Sequence, residues 1–262
     1  MPVTLFFTYS SYRHKIINQI VNQMKKYFLF SLLLVCALIV EAQKIISDAN
    51  AERRSAKSFH AIKVSGGIDL FISEGDEAIA VSAKDAETRD YIKTEVVDGV
   101  LKIWFEWKNG RNIFMSTNKQ LRAYVSYKKL DLLSASGGCD VMVDGTITQN
   151  NLTINISGGS DFKGKVAVQD LQIESSGGSD VDIAGKASRL NVEVSGGSDF
   201  NGYDLVTETT SVEASGGSDV EVTVNKDLNA RASGGSDISY RGSASVSEAK
   251  SSGSSSVKKT GK

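Results

Sequence analysis

Downstream of residue 140, apolar residues hold every second position in short runs. Leu152, Ile154 and Ile156 form one run. Leu171 with Ile173, Leu190 with Val192 and Val194, and Leu228 with Ala230 and Ala232 repeat it. A second set follows each aspartate of a recurring turn: Val141 and Val143, Val181 and Ile183, Val220 and Val222, Ile238 and Tyr240. Phe162 and Phe200 open that set in their own repeats, with Gly164 and Gly202 two residues on. Period two marks strands with one buried face. The pattern therefore predicts at least two short strands per repeat, joined by a loop such as Ala184-Gly185-Lys186-Ala187.

The turns are near-identical. Ser136-Gly137-Gly138-Cys139-Asp140 recurs from Ser157, Ser176, Ser195, Ser215 and Ser233, each time as Ser-Gly-Gly-Ser-Asp, at steps of 21, 19, 19, 20 and 18 residues. A decayed copy, Ser252-Gly253-Ser254-Ser255, continues at a step of 19. Hairpins of a sandwich do not need identical corners at constant spacing. A solenoid does, because each corner sits ~4.8 Å above the one before. Gly-Gly supplies positive φ and lets neighbouring backbones approach, while the serines bond adjacent turns or cap their own. The expected fold is all-β: a β-solenoid (β-helix) of rungs about 19 residues long, with a β-rich N-terminal half stacked on it.

The division expected from the sequence is 136–250 for the repeats, 43–135 for the N-terminal half, and 251–262 for a disordered Ser/Gly/Lys tail beyond a final cap. In the N-terminal half, Ser65-Gly66-Gly67-Ile68-Asp69 is an early corner of the same kind. Ile79–Ala83, Val100–Phe105 and Leu121–Tyr127 read as strands, Thr88–Lys93 as a short helix, and Asn109-Gly110 as a hairpin turn. This half is expected to close the N-terminal end of the stack.

Upstream, Met24-Lys25-Lys26, an apolar run from Tyr27 to Val40, and Val40-Glu41-Ala42 before Gln43 match a cleavable export signal over 24–42. The run is shorter than the ~20 apolar residues that cross a bilayer. Val35 before Cys36 does not suit lipidation, and residues 1–23 lie upstream of a complete signal, so Met24 reads as the native start. A formal charge of −1 argues against a nucleic-acid binder. Of the two cysteines only Cys139 survives cleavage, so no disulfide forms within the mature chain.

The candidate chemistry lies in the corners. Asp140, Asp161, Asp180, Asp199, Asp219 and Asp237 align into a carboxylate ladder if the rungs stack. Charges about 4.8 Å apart repel by about 3.5 kcal/mol at an effective dielectric of about 20, and by under about 1 kcal/mol in bulk water. Such a row must be solvated, bonded to turn N–H groups, or bridged by cations. Three readings stay open: turn bonding on an exposed edge, a calcium ladder, and a polar strip for glycan or partner contact. Trp107 is a further candidate for sugar stacking, set against core packing of Trp104, Phe105, Trp107, Tyr124 and Tyr127. His60 reads as structural, and Cys139 as a substitute for the corner serine. Neither a nucleotide-binding loop nor Cys/His metal spacing is present, and the near-constant spacing leaves no long loop for a polysaccharide cleft. No catalytic residue or cofactor is assigned.

The order Phe59-x-x-Ile62-x-Val64 with a Gly-containing corner, then Glu95-Val96-x-x-Gly99-x-Leu101-x-Ile103, then stacked Ser-Gly-Gly-Ser-Asp turns resembles the DUF2807 family. These are exported Bacteroidetes proteins described as auto-transporter adhesin head (GIN) domains. The resemblance covers about Phe59 to Ala249 and implies a β-helical fold at the cell surface or in the periplasm. It carries no functional residues across, and too few residues follow Asp237 for a membrane β-barrel. The expected function is an exported, non-enzymatic adhesion or binding module acting on a glycan or cell-surface protein. A self-associating envelope protein and a polysaccharide-active enzyme are the alternatives.

Overall fold

The computed structural model describes residues 48–55, 57–106 and 120–261. The export signal over 24–42, Trp107 and the Asn109-Gly110 turn lie outside them. The strands, in chain order, are β1 (Glu52–Arg54), β2 (Ala61–Ser65), β3 (Asp69–Glu74), β4 (Ala78–Ser82), β5 (Ile92–Val97), β6 (Val100–Phe105), β7 (Arg122–Tyr127), β8 (Leu132–Ser136) and β9 (Asp140–Asp144). They continue as β10 (Ile147–Ser157), β11 (Asp161–Ser176), β12 (Asp180–Ser195), β13 (Asp199–Ala214), β14 (Asp219–Gly234), β15 (Asp237–Arg241), β16 (Ser245–Gly253) and β17 (Ser256–Lys259). Among the described residues a short helix, α1 (Ala86–Arg89), starts at Asp85, whose carboxylate accepts the Thr88 N–H at 2.7 Å. The helix ends before the predicted Thr88–Lys93 span does, because Ile92 already begins β5 against β6.

From β8 onward the strands stack in parallel, with register kept at the corners and the core columns and shifted by irregularities between Asp182 and Gly185, Gly202 and Val206, and Leu228 and Asn229. The chain is an all-β parallel solenoid. Within β11 the buried positions are Phe162, Val166 and Val168, then Leu171, Ile173 and Ser175. The alternation changes phase at Gln169-Asp170, where two successive residues face outward, and a bend follows from that. No loop separates the strands at Ala184–Ala187. β12 runs through unbroken and bends at Gly185, whose φ of 113 admits no ordinary side chain and whose Cβ would lie 2.0 Å from the Val166 carbonyl oxygen of the coil below.

The core is a set of side-chain columns along the stack. One reads Val141, Phe162, Val181, Phe200, Val220, Ile238. Another reads Leu133, Ile154, Ile173, Val192, Val212, Ala230, Ala249, and so tapers toward the last coil. Burying each large aliphatic residue of these columns contributes roughly 1.5–3 kcal/mol relative to exposure.

Two features depart from the order in the sequence. The coil made by β2 and β3 lies between the β8–β9 coil and an outer one made by β6 and β7, so the chain steps back past its own first coil. Beyond that outer coil, β5 pairs antiparallel with β6, β4 with β7, and β1 with β4, and these strands cover the N-terminal end. At the other end, the segment expected to be disordered from 251 onward is strand: β16 pairs with β14 and β17 with β15. Stacking on an existing coil orders a sequence whose composition alone favours disorder. Among the described residues no helix is long and apolar enough to cross a membrane.

Candidate functional site

The corners stack as the spacing requires, but the two glycines are not equivalent. The first has positive φ in every corner, from Gly66 (87) to Gly253 (76). The second has it only at Gly67, Gly138, Gly159 and Gly178. In those early corners the first glycine donates its N–H to the next coil's serine carbonyl, as from Gly158 to Ser176 at 3.2 Å. In the later corners the second residue donates backward, from Gly217 to the Gly196 oxygen at 2.7 Å and from Gly235 to Gly216 at 2.7 Å. Ser254 makes the same bond to Gly234 at 2.8 Å. The decayed corner thus keeps its geometry: where the second residue needs no positive φ, serine serves as well as glycine.

The fourth corner residue points inward. Ser160, Ser179, Ser198, Ser218 and Ser236 are fully buried. The Ser179, Ser218 and Ser236 hydroxyls donate to the carbonyl of their own corner's first serine, at 3.0, 2.9 and 2.9 Å. Ser160, Ser179 and Ser198 accept N–H groups from the coil below, from Cys139 at 3.0 Å, Ser160 at 3.3 Å and Ser179 at 3.1 Å. Cys139 occupies the same place, with its sulfur donating to the Ser136 carbonyl and accepting the Ile68 N–H, both at 3.3 Å. Burial pushes its thiol pKa up, which disfavours the reactive thiolate.

The aspartates face out and form the ladder. Asp140 pairs with Asp161, Asp180 with Asp199, Asp199 with Asp219, and Asp219 with Asp237. Asp161 accepts the Asp180 N–H at 3.2 Å, so these carboxylates bond the neighbouring coil's backbone rather than only their own turn. The row is longer than the six repeats suggest. Asp69 extends it past Asp140, Arg122 sits beside Asp69, and the Ser256 hydroxyl bonds Asp237 at the far end. Asp69 was legible, since its corner has the same spacing. Arg122 was not, because its place depends on the displaced β7 coil. Among the described residues no three His, Cys, Asp or Glu side chains converge to hold a metal ion.

Burial, followed by the neighbouring carboxylates, raises the pKa of Asp140 and Asp180; at Asp69 burial comes first and Asp140 second. An acid whose pKa is higher in the folded chain than in the unfolded chain opposes folding once ionised. That opposition is absent below the ordinary value of 3.8 and is reached in full as pH rises through the raised pKa. Asp180→Asn, alone or with Asp199→Asn, is therefore expected to leave the fold intact, with no loss of stability at neutral pH. It should also flatten the fall in stability just above pH 3.8. Urea denaturation across pH checks this, and collapse of the variant at neutral pH would count against a row that is merely tolerated.

Two shallow grooves run along the stack, one beside the corners and one at the bend near Asp170 and Arg189. One, of about 980 Å³, follows Glu174, Glu193, Glu213 and Arg231 beside the corner serines. The other, of about 500 Å³, runs along Asn151, Gln172, Asn191 and Asn229. Beside the Asp69 end of the ladder, two residues along the same strands, Phe71 and Tyr124 stack with ring centroids 5.3 Å apart, and Met142, the next residue in that row, is exposed. The predicted aromatic core therefore divides: Phe105 and Tyr127 are buried, while Trp104 and Tyr124 are only partly covered. His60 sits half-exposed with Nδ1 2.9 Å from Asp131, away from any nucleophile named above.

Solved structures share this architecture. A putative adhesin from Bacteroides fragilis superposes with a TM-score of 0.72 at 18% identity, covering 80% of this chain and 96% of its own. A putative lipid binding protein from Parabacteroides distasonis gives 0.62 at 20%, covering 82% and 98%. A putative adhesin from Parabacteroides merdae gives 0.63 at 17%, covering 80% and 95%. No curated protein matches the chain. The family model described as "Putative auto-transporter adhesin, head GIN domain" matches residues 58–244, and the chain belongs to that family, DUF2807.

Proposed function

We propose that this protein is an exported adhesion or binding module, delivered by the signal at 24–42 and acting at the cell surface or in the periplasm. The observation that carries the reading is the repetition of one outward chemistry on successive coils. Asp140 through Asp237 present a carboxylate at each corner, and a shallow groove follows the corner serines and Glu174, Glu193 and Glu213 on the preceding strands. A contact that is weak at one coil gains strength when several engage together, since each further contact is intramolecular. Membership of an adhesin-head family and the adhesin-named neighbours support the same reading.

A glycan array probed with the purified protein, in calcium and in chelator, tests it. Reproducible binding to an extended glycan is the expected result. Binding lost in chelator would assign the aspartate ladder to calcium; binding retained would assign it to direct hydrogen bonds. A blank array in both conditions would overturn glycan recognition and leave a cell-surface protein as the partner.

A further inference from the structure

The two ends of the solenoid differ chemically. At the N-terminal end the antiparallel strands β5, β4 and β1 cover the outer coil. At the other end β16 pairs only with β14 and β17 only with β15, and among the described residues no strand takes their outer edges. The core columns also end there in the open. Val246 is 39% exposed, whereas Leu228 beneath it is fully buried. Ala249 is exposed above the buried Ala230. A row of unpaired backbone groups beside uncovered apolar side chains is a template for another strand.

We propose that this end docks on the same end of a second copy of the chain, β16 against β16, antiparallel about a two-fold axis through Ala249. The charges select that register. Glu248 and Lys250 share the outward face of β16 and flank Ala249, in line with Asn229 and Arg231 below. Centring the pair on Ala249 sets each Glu248 opposite the other copy's Lys250, twice over. Centring it on Glu248 or on Lys250 sets like charges face to face, which is unfavourable. The two-fold axis crosses the β16 face, so it carries Lys258 and Lys259 of β17 away from their counterparts. The contact is isologous and the opposite end is covered, so assembly closes at two copies and does not run on into fibres.

Charge reversal tests this by sedimentation of the purified protein. The unaltered chain is expected to show a concentration-dependent monomer–dimer equilibrium. Glu248→Lys and Lys250→Glu should each weaken the dimer by about tenfold or more. An equimolar mixture of the two variants should restore it as a heterodimer, because every facing pair is then opposite in sign. Restoration also shows that both variants are folded, which matters because Glu248 bonds both Arg231 and Lys250 within its own chain, and the Lys250 pair must be exchanged for the one across the axis. A protein that stays monomeric at all accessible concentrations, a dimer indifferent to both reversals, or assembly beyond two copies would each overturn the proposal.

Discussion

Gly197→Ala is expected to be nearly silent, Gly178→Ala to cost about 1–2 kcal/mol, and Gly216→Ala to cost about 3 kcal/mol or more, although all three are corner glycines. At Gly197 the backbone is outside the positive-φ region and nothing lies within 4 Å of an added Cβ. Alanine there also removes freedom from the unfolded chain, which offsets small losses. Gly178 has open space for a Cβ but a φ of 79, so the cost is backbone strain alone. Gly216 combines a φ of 82 with a Cβ position 2.5 Å from the Gly196 oxygen. That oxygen already accepts the Gly217 N–H at 2.7 Å, so relieving the clash breaks the bond between coils. Chemical denaturation of the three variants reads the series directly. Equal losses at Gly178 and Gly197 would mean that the two corner geometries are not distinct in solution.

That series also marks where sequence reasoning stops. The repeated Ser-Gly-Gly-Ser-Asp is enough to infer stacked corners, since a fixed step with period-two strands between has few other solutions. The change from forward to backward bonding between Gly177 and Gly217 leaves no trace in the motif, which is identical on both sides. Only the loss of the second glycine at Ser254 hints at it, and alone that reads as decay. Composition likewise predicts a disordered tail, because it does not report that a finished coil lies beneath β16 and β17.

The candidate site was legible to a similar depth. The carboxylate ladder follows from register, whereas the motif alone leaves open whether its serines bond neighbouring turns or cap their own. The boundaries of the ladder do not follow. Arg122 reaches Asp69 only because the β6–β7 coil lies outside β2–β3, an ordering set by long-range pairing and not by any local pattern. For the same reason the stacked Phe71 and Tyr124, far apart in sequence, could not be joined beforehand.

The pairing of Phe162 with Gly164 was visible in the sequence, and its physical reason leads to a strong expectation. A Cβ on Gly164 would lie 2.8 Å from the Phe162 ring and 2.6 Å from Val143, so the ring occupies the space that Ile183 fills in the next coil. Phe162→Ala should therefore cost about 3–5 kcal/mol, the range for emptying a fully buried aromatic site. Phe162→Val leaves a smaller cavity, and Gly164→Val alone forces a side chain into the ring. Together they recreate the Val141-x-Val143 arrangement one coil below, with Val143 free to turn because it is only partly buried. The double variant is expected to be more stable than the two single losses predict, by an interaction energy of about 1–3 kcal/mol. A double-mutant cycle from denaturant midpoints measures that energy. Strict additivity would mean that the glycine serves the backbone and not the ring, and that the alternation of Phe-x-Gly with Val-x-Ile coils is not a packing exchange.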